Sequence, residues 1–83
     1  MTADIRARIE VFIRDSLLLG DESRMPAGGD SLVETGVIDS TGVLELIEFV
    51  EQEFGITVGD AETVPANLDG IDQLVAFVER KTA

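Results

Sequence analysis

The sequence predicts an all-α fold: a small four-helix bundle of three main helices and one short one, with a long loop between helices 1 and 2. Three observations predict it. Apolar residues recur at helical spacing in three separate stretches of the 83 residues. Gly20, Gly55 and Pro65 stand where those stretches break. The one β-rich triplet, Ile56-Thr57-Val58, is too short for a strand and has no partner segment. A chain of this length forms one domain, residues 1–83, with a thin core.

The first helix is expected over residues 3 to about 18. Ile5, Ile9 and Phe12 recur at i, i+4 and i+7, and Leu19 extends the stripe. Thr2 is the expected N-cap and Gly20 the stop. Arg6–Glu10 and Glu10–Arg14 are four apart, a spacing that lets opposite charges meet on a helix face. A long connection follows to Asp39, with Leu32, Val33, Val37 and Ile38 expected to pin it against the helices. The second helix is expected over residues 40–54. Its buried stripe is Val43, Leu44, Ile47, Val50 and Phe54, broadened by Leu46 and Phe49, and Gly55 ends it. Residues from Asp60 to about Val64 suit one helical turn closed by Pro65. Ile71, Leu74, Val75 and Val78 mark the last helix, capped by Asp69 or Gly70.

Composition narrows the function. The chain has no cysteine and no histidine, so it lacks a disulfide framework, a thiolate zinc site and the usual neutral-pH base. With no Tyr either, and little room in a small bundle for a closed pocket, an enzyme is poorly supported and no catalytic or metal-ligating set is assigned. The Asp-x-Asp-x-Asp-Gly loop of a calcium site is absent. The N-terminal residues show no apolar leader, and no apolar run reaches the length of a membrane span, so a soluble, cytoplasmic protein is expected.

The net charge is −11, and from Met25 through Glu79 there are twelve acids and no base. Such a surface repels nucleic acid and anionic membranes and attracts basic protein surfaces. The bland alternative is that the acids only keep the domain soluble.

Chemistry then rests on the serines. Ser16 lies in the first helix and Ser23 in a polar loop. Ser31 and Ser40 each follow an aspartate. Gly36 interrupts any helix soon after Ser31, whereas an amphipathic pattern runs four turns beyond Ser40. A hydroxyl at a helix start lies beside unpaired N–H groups and a partial positive charge, which favours a phosphate ester. Simple capping by Asp39, or by Ser40 itself, explains the same residues.

Gly36-Val37-Ile38-Asp39-Ser40, then Leu44-Glu45-Leu46-Ile47, then Glu53-Phe54-Gly55-Ile56, resembles the acyl carrier protein and peptidyl carrier family. The likeness covers nearly the whole chain, in the order and spacing of its parts. It implies an acyl-carrier-like bundle in which Ser40 carries 4′-phosphopantetheine, delivered from coenzyme A by a transferase that uses magnesium. It implies a thiol supplied by that group, holding acyl or aminoacyl cargo as thioesters, with no catalysis by the chain itself. It further implies a monomer whose second helix docks on basic patches of the transferase, a loading ligase and downstream synthases. Asp39, Glu45 and Glu51 match acidic docking positions of the family, and Leu44 an apolar one. Thr41, Gly42 and Glu48 depart from the commonest pattern, so the chain looks more like discrete carriers of specialised pathways than like those of fatty-acid synthesis. Thr41 and Glu48 are counted with the docking face. The competing reading is a non-carrier, acidic helical interaction module in which Ser40 is only a helix cap.

Overall fold

Residues 2–82 are described in the computed structural model, with side chains from residue 4 onward. The capping role expected of the Thr2 side chain lies outside them. Helix α1 spans Thr2–Phe12 and runs on as a π-helical turn over Ile13–Leu17. The Leu18 N–H donates to the Ile13 carbonyl at 2.9 Å, five residues back, so the turn holds one residue more than an α-helical turn. Ile5, Ile9 and Ile13 are buried four apart, and Leu18 is buried five residues later. The extra residue hands Leu18 the core position expected of Leu19. Leu19 is instead 85% exposed, with φ at 53°. Gly20, at φ 89°, ends the element as expected, its N–H donating to the Arg14 carbonyl at 2.7 Å.

Helix α2 spans Ser40–Phe54, and Gly55 stops it in the left-handed conformation at φ 66°. Leu46 and Val50 are fully buried, while Val43, Ile47, Phe49 and Phe54 pack on the core from partly exposed places. Leu44, expected in the buried stripe, is 63% exposed. It stands two residues, about 200° of rotation, from Leu46 and so points away from the core. The Phe12 and Phe49 rings stack at 4.3 Å, and Phe54 meets Phe49 edge-on at 6.0 Å. Arg8 bonds Glu53 at 3.2 Å beside them, tying α1 to the end of α2.

Ile56 to Val58 is an extended link, and no strand forms among the described residues. The Glu51 carboxylate accepts the Val58 N–H at 2.8 Å and holds that link to α2. A 3-10 turn follows at Asp60–Glu62, then a short helix α3 at Pro65–Leu68. The turn expected before Pro65 forms, and Pro65 then opens a further short helix not expected from the sequence. Proline suits the first helical position because its fixed φ is already helical and its missing N–H would be unpaired there. Helix α4 spans Ile71–Thr82 and buries Ile71, Leu74, Val75, Phe77 and Val78 against α1 and α3. In the loop before α2, Leu32, Val37 and Ile38 are buried as expected. Val33 is not, being 55% exposed.

Other pairs stand in place of the expected Arg6–Glu10 and Glu10–Arg14 ones. Arg6 bonds Asp72 on α4, and Arg14 bonds Asp15 and Glu22. At the other end of α4, the Glu62 carboxylate accepts from the Gly59 N–H and from Lys81 Nζ, each at 3.0 Å. The Gly59 bond first and Lys81 second hold this carboxyl below the usual carboxylate range. A depressed carboxyl contributes stability above its unfolded pKa and loses it as pH falls through the folded value. Glu62→Gln is expected to make the acid limb of the stability curve shallower than in the parent. Urea melts across that limb check it; equal slopes would show that Glu62 adds nothing.

Candidate functional site at the start of helix α2

Asp39 precedes α2 in an extended conformation, and its carboxylate accepts the Gly42 N–H at 2.8 Å. Asp39 is thus the cap, and Ser40 is the first helical residue. Ser40 is exposed, and its hydroxyl has no hydrogen-bond partner among the described residues. Gly42 is buried, and a Cβ there would lie 3.2 Å from the Ile38 Cβ and 3.4 Å from an Asp39 carboxylate oxygen. Its bare backbone lets the cap and Ile38 close in beneath Ser40. Asp39→Ala removes the cap and is expected to cost about 1 kcal/mol. Chemical denaturation of the variant reads this directly, and Asp39→Asn, which keeps an accepting oxygen, should recover most of it.

Ser31 sits differently. Its hydroxyl donates to the Asp69 carboxylate at 2.6 Å and accepts the Glu34 N–H at 3.1 Å. Asp69 also accepts the Val33 N–H at 2.9 Å on its other carboxylate oxygen and the Leu32 N–H at 3.0 Å on its carbonyl. The carboxylate expected to cap α4 is therefore spent on the long loop, 38 residues back in sequence. Sequence reasoning missed this pairing, since no local pattern marks a contact between residues so far apart.

Beside the start of α2 lies a cavity of about 350 Å³ with a mostly apolar lining. Ile38 and Val43 border it from the α2 side, Pro65 and Leu68 from α3 with Val64 and Asp69 at its two ends, and Ser31 and Val33 from the loop. Ile38 and Val43 flank Ser40 in sequence, so the cavity and the exposed hydroxyl share one end of the bundle.

The remaining docking candidates divide in two. Thr41, Leu44, Glu45 and Glu48 are exposed and recur at helical spacing on one face of α2. Asp39 precedes the helix and Glu51 continues that face a turn further on, but both carboxylates already accept backbone N–H groups. All six basic side chains make polar contacts within the chain: Arg6, Arg8, Arg14 and Lys81 to carboxylates, Arg24 to the Gly36 carbonyl, and Arg80 to Asn67. Glu45 and Glu48 pair with none of them. Among the described residues, that face of α2 thus carries negative charge with no counterion around an exposed leucine. Among the described residues no helix is long and apolar enough to cross a membrane.

No family model matches the chain. It is 35% identical over 52 residues to PigG of Serratia sp., described as a probable acyl carrier protein. The match covers 63% of this chain and 60%, less than two thirds, of that protein. The likeness to a probable acyl carrier protein covers that stretch, and the small all-helical bundle is compatible with it.

Proposed function

We propose that the chain is a carrier whose Ser40 hydroxyl is esterified with 4′-phosphopantetheine and which shuttles acyl or aminoacyl groups between enzymes. The observation that carries this reading is the exposed Ser40 hydroxyl, unbonded among the described residues, on a helix start that Asp39 already caps. The competing role of Ser40 as the cap is filled by its neighbour.

In the loading step the Ser40 oxygen forms a bond to the β-phosphorus of coenzyme A. The diphosphate bond breaks, the nucleotide leaves, and the hydroxyl proton passes to a base on the transferase. A negatively charged ester then sits at the N-terminus of α2, where first-turn N–H groups and the helix dipole favour it. Bound there, the arm supplies the thiol that this cysteine-free chain lacks, and cargo is held on it as a thioester.

The chain's own residues do the rest. Thr41, Leu44, Glu45 and Glu48 offer a docking stripe to basic patches on the transferase, the loading ligase and later enzymes. Such docking gives fast, salt-sensitive encounter, and a shuttle must release each partner. Asp39 and Glu51 hold the frame of that stripe through their backbone bonds. The chain itself needs no catalytic group for this work, and a cytoplasmic location and a specialised pathway fit it. Incubation with coenzyme A, magnesium and a broad-specificity transferase should add the mass of one phosphopantetheine group. No gain with several transferases would sink the reading.

A further inference from the structure

Ser31 is the second Asp-Ser serine of the chain, and the carrier reading leaves it without a task. The structure gives it a set of bonds. Its hydroxyl and the Val33 N–H each take one oxygen of the Asp69 carboxylate, and the Leu32 N–H takes the Asp69 carbonyl. Hydrogen bonds to an ionised acceptor are the stronger kind. Three bonds therefore fasten one short loop segment to the junction between α3 and α4. Leu32 is fully buried beneath the segment, and its carbonyl accepts the N–H groups of Val37 at 2.9 Å and Ile38 at 3.1 Å. The fastening thus reaches within two residues of Ser40.

The same residues form one wall of the cavity. Ser31, Val33 and Asp69 face Val43 of α2 and Val64 and Leu68 around α3. The α2 and α3 walls belong to helices whose first residues, Ser40 and Pro65, are fixed by a cap and by a proline. The loop wall has no regular structure of its own, so its place depends on Asp69 and on buried Leu32. At about 350 Å³ the cavity is at the small end of ligand sites.

We propose that Ser31 and Asp69 act as a clasp that sets the width of this cavity, making them positioning residues for a short apolar cargo chain held on Ser40. The occupant is the group tethered next door, because Ile38 and Val43, either side of Ser40 in sequence, both line the cavity. This rests on the carrier reading, but the clasp is testable without it.

The first measurement uses the unloaded full chain and hexanol as a neutral apolar probe. In methyl NMR, hexanol should shift the Val43 and Val64 signals of the parent in a saturable way. Ser31→Ala removes one hydrogen bond of the clasp and should weaken that binding about fivefold. Ser31→Thr keeps the hydroxyl and should restore it. Unchanged hexanol binding in Ser31→Ala, or shifts confined to other residues in the parent, overturns the clasp. The second measurement loads hexanoyl and acetyl groups through a transferase and compares thioester hydrolysis. In the parent the hexanoyl thioester should hydrolyse more slowly than the acetyl one; in Ser31→Ala the ratio should move toward one, and Ser31→Thr should bring it back. A variant that hydrolyses both faster with the ratio kept has merely loosened, which overturns the positioning role. If no transferase loads the chain while hexanol behaves as expected, the carrier reading fails and the clasp stands.

Discussion

Ser40→Ala is expected to abolish the gain of a phosphopantetheine group altogether, whereas Ser31→Ala should load like the parent. The two serines follow aspartates in the same way, yet the fold treats them oppositely. Ser40 lies exposed at the first position of a 15-residue helix, with no bond to its hydroxyl among the described residues. Ser31 lies half-buried in a loop with its hydroxyl both donating and accepting. A transferase needs an oxygen it can bring to phosphorus, and of these two Ser40 offers one without breaking existing bonds. The substitution at Ser40 should leave the bundle intact, because the cap bond runs from Gly42 to Asp39. Intact mass reads loading, and circular dichroism confirms that both variants fold. Loading retained in Ser40→Ala would assign the arm to another hydroxyl and end the reading given above.

The largest stability effect should come from Leu46→Ala, at about 2–5 kcal/mol. Leu46 is fully buried at the centre of α2 and belongs to the core that also holds Ile9, Val50 and Leu74. For an 83-residue chain, total stability at about 0.05–0.15 kcal/mol per residue comes to about 4–12 kcal/mol. Losing Leu46 therefore removes a large part of it, and each kcal/mol lost lowers Tm by about 4–8 °C in a domain of this size. Leu44→Ala, two residues away and mostly exposed, should change stability by no more than about 0.5 kcal/mol. It should instead weaken docking, which a salt-dependent binding measurement with the transferase would detect. Equal melting losses for the two variants would mean that α2 packs through a different face.

Helix α2 was legible to the residue at both ends, because its amphipathic pattern, its aspartate cap and its glycine stop agree with one another. The face it buries was less so. Leu44 and Leu46 are equally apolar, and only packing against α1 and α4 decides between them. In α1 the spacing of Ile5 and Ile9 located the helix, but the π turn shifted the phase after Ile13 and exchanged Leu18 for Leu19. A widened turn leaves no local mark that periodicity detects. Pro65 marks the end of the Asp60–Glu62 turn in the sequence, but not that the four residues it begins form a helix of their own. For the candidate site, the helical context after Ser40 separated it from Ser31, since that distinction is local. The clasp to Asp69 and the cavity were invisible, because each depends on groups that meet only after the chain has closed on itself.

The bond that starts α2 takes nothing from Ser40, so whatever is hung on that hydroxyl leaves the first turn as it was. The empty form opens only as often as its own cap and core allow, and the favoured ester makes the laden form open less. Proteases that attack only the opened chain would then clear the empty form first, at a pace set by the cap and core it already has. A store of empty protein stands ready to be charged without first having to fold.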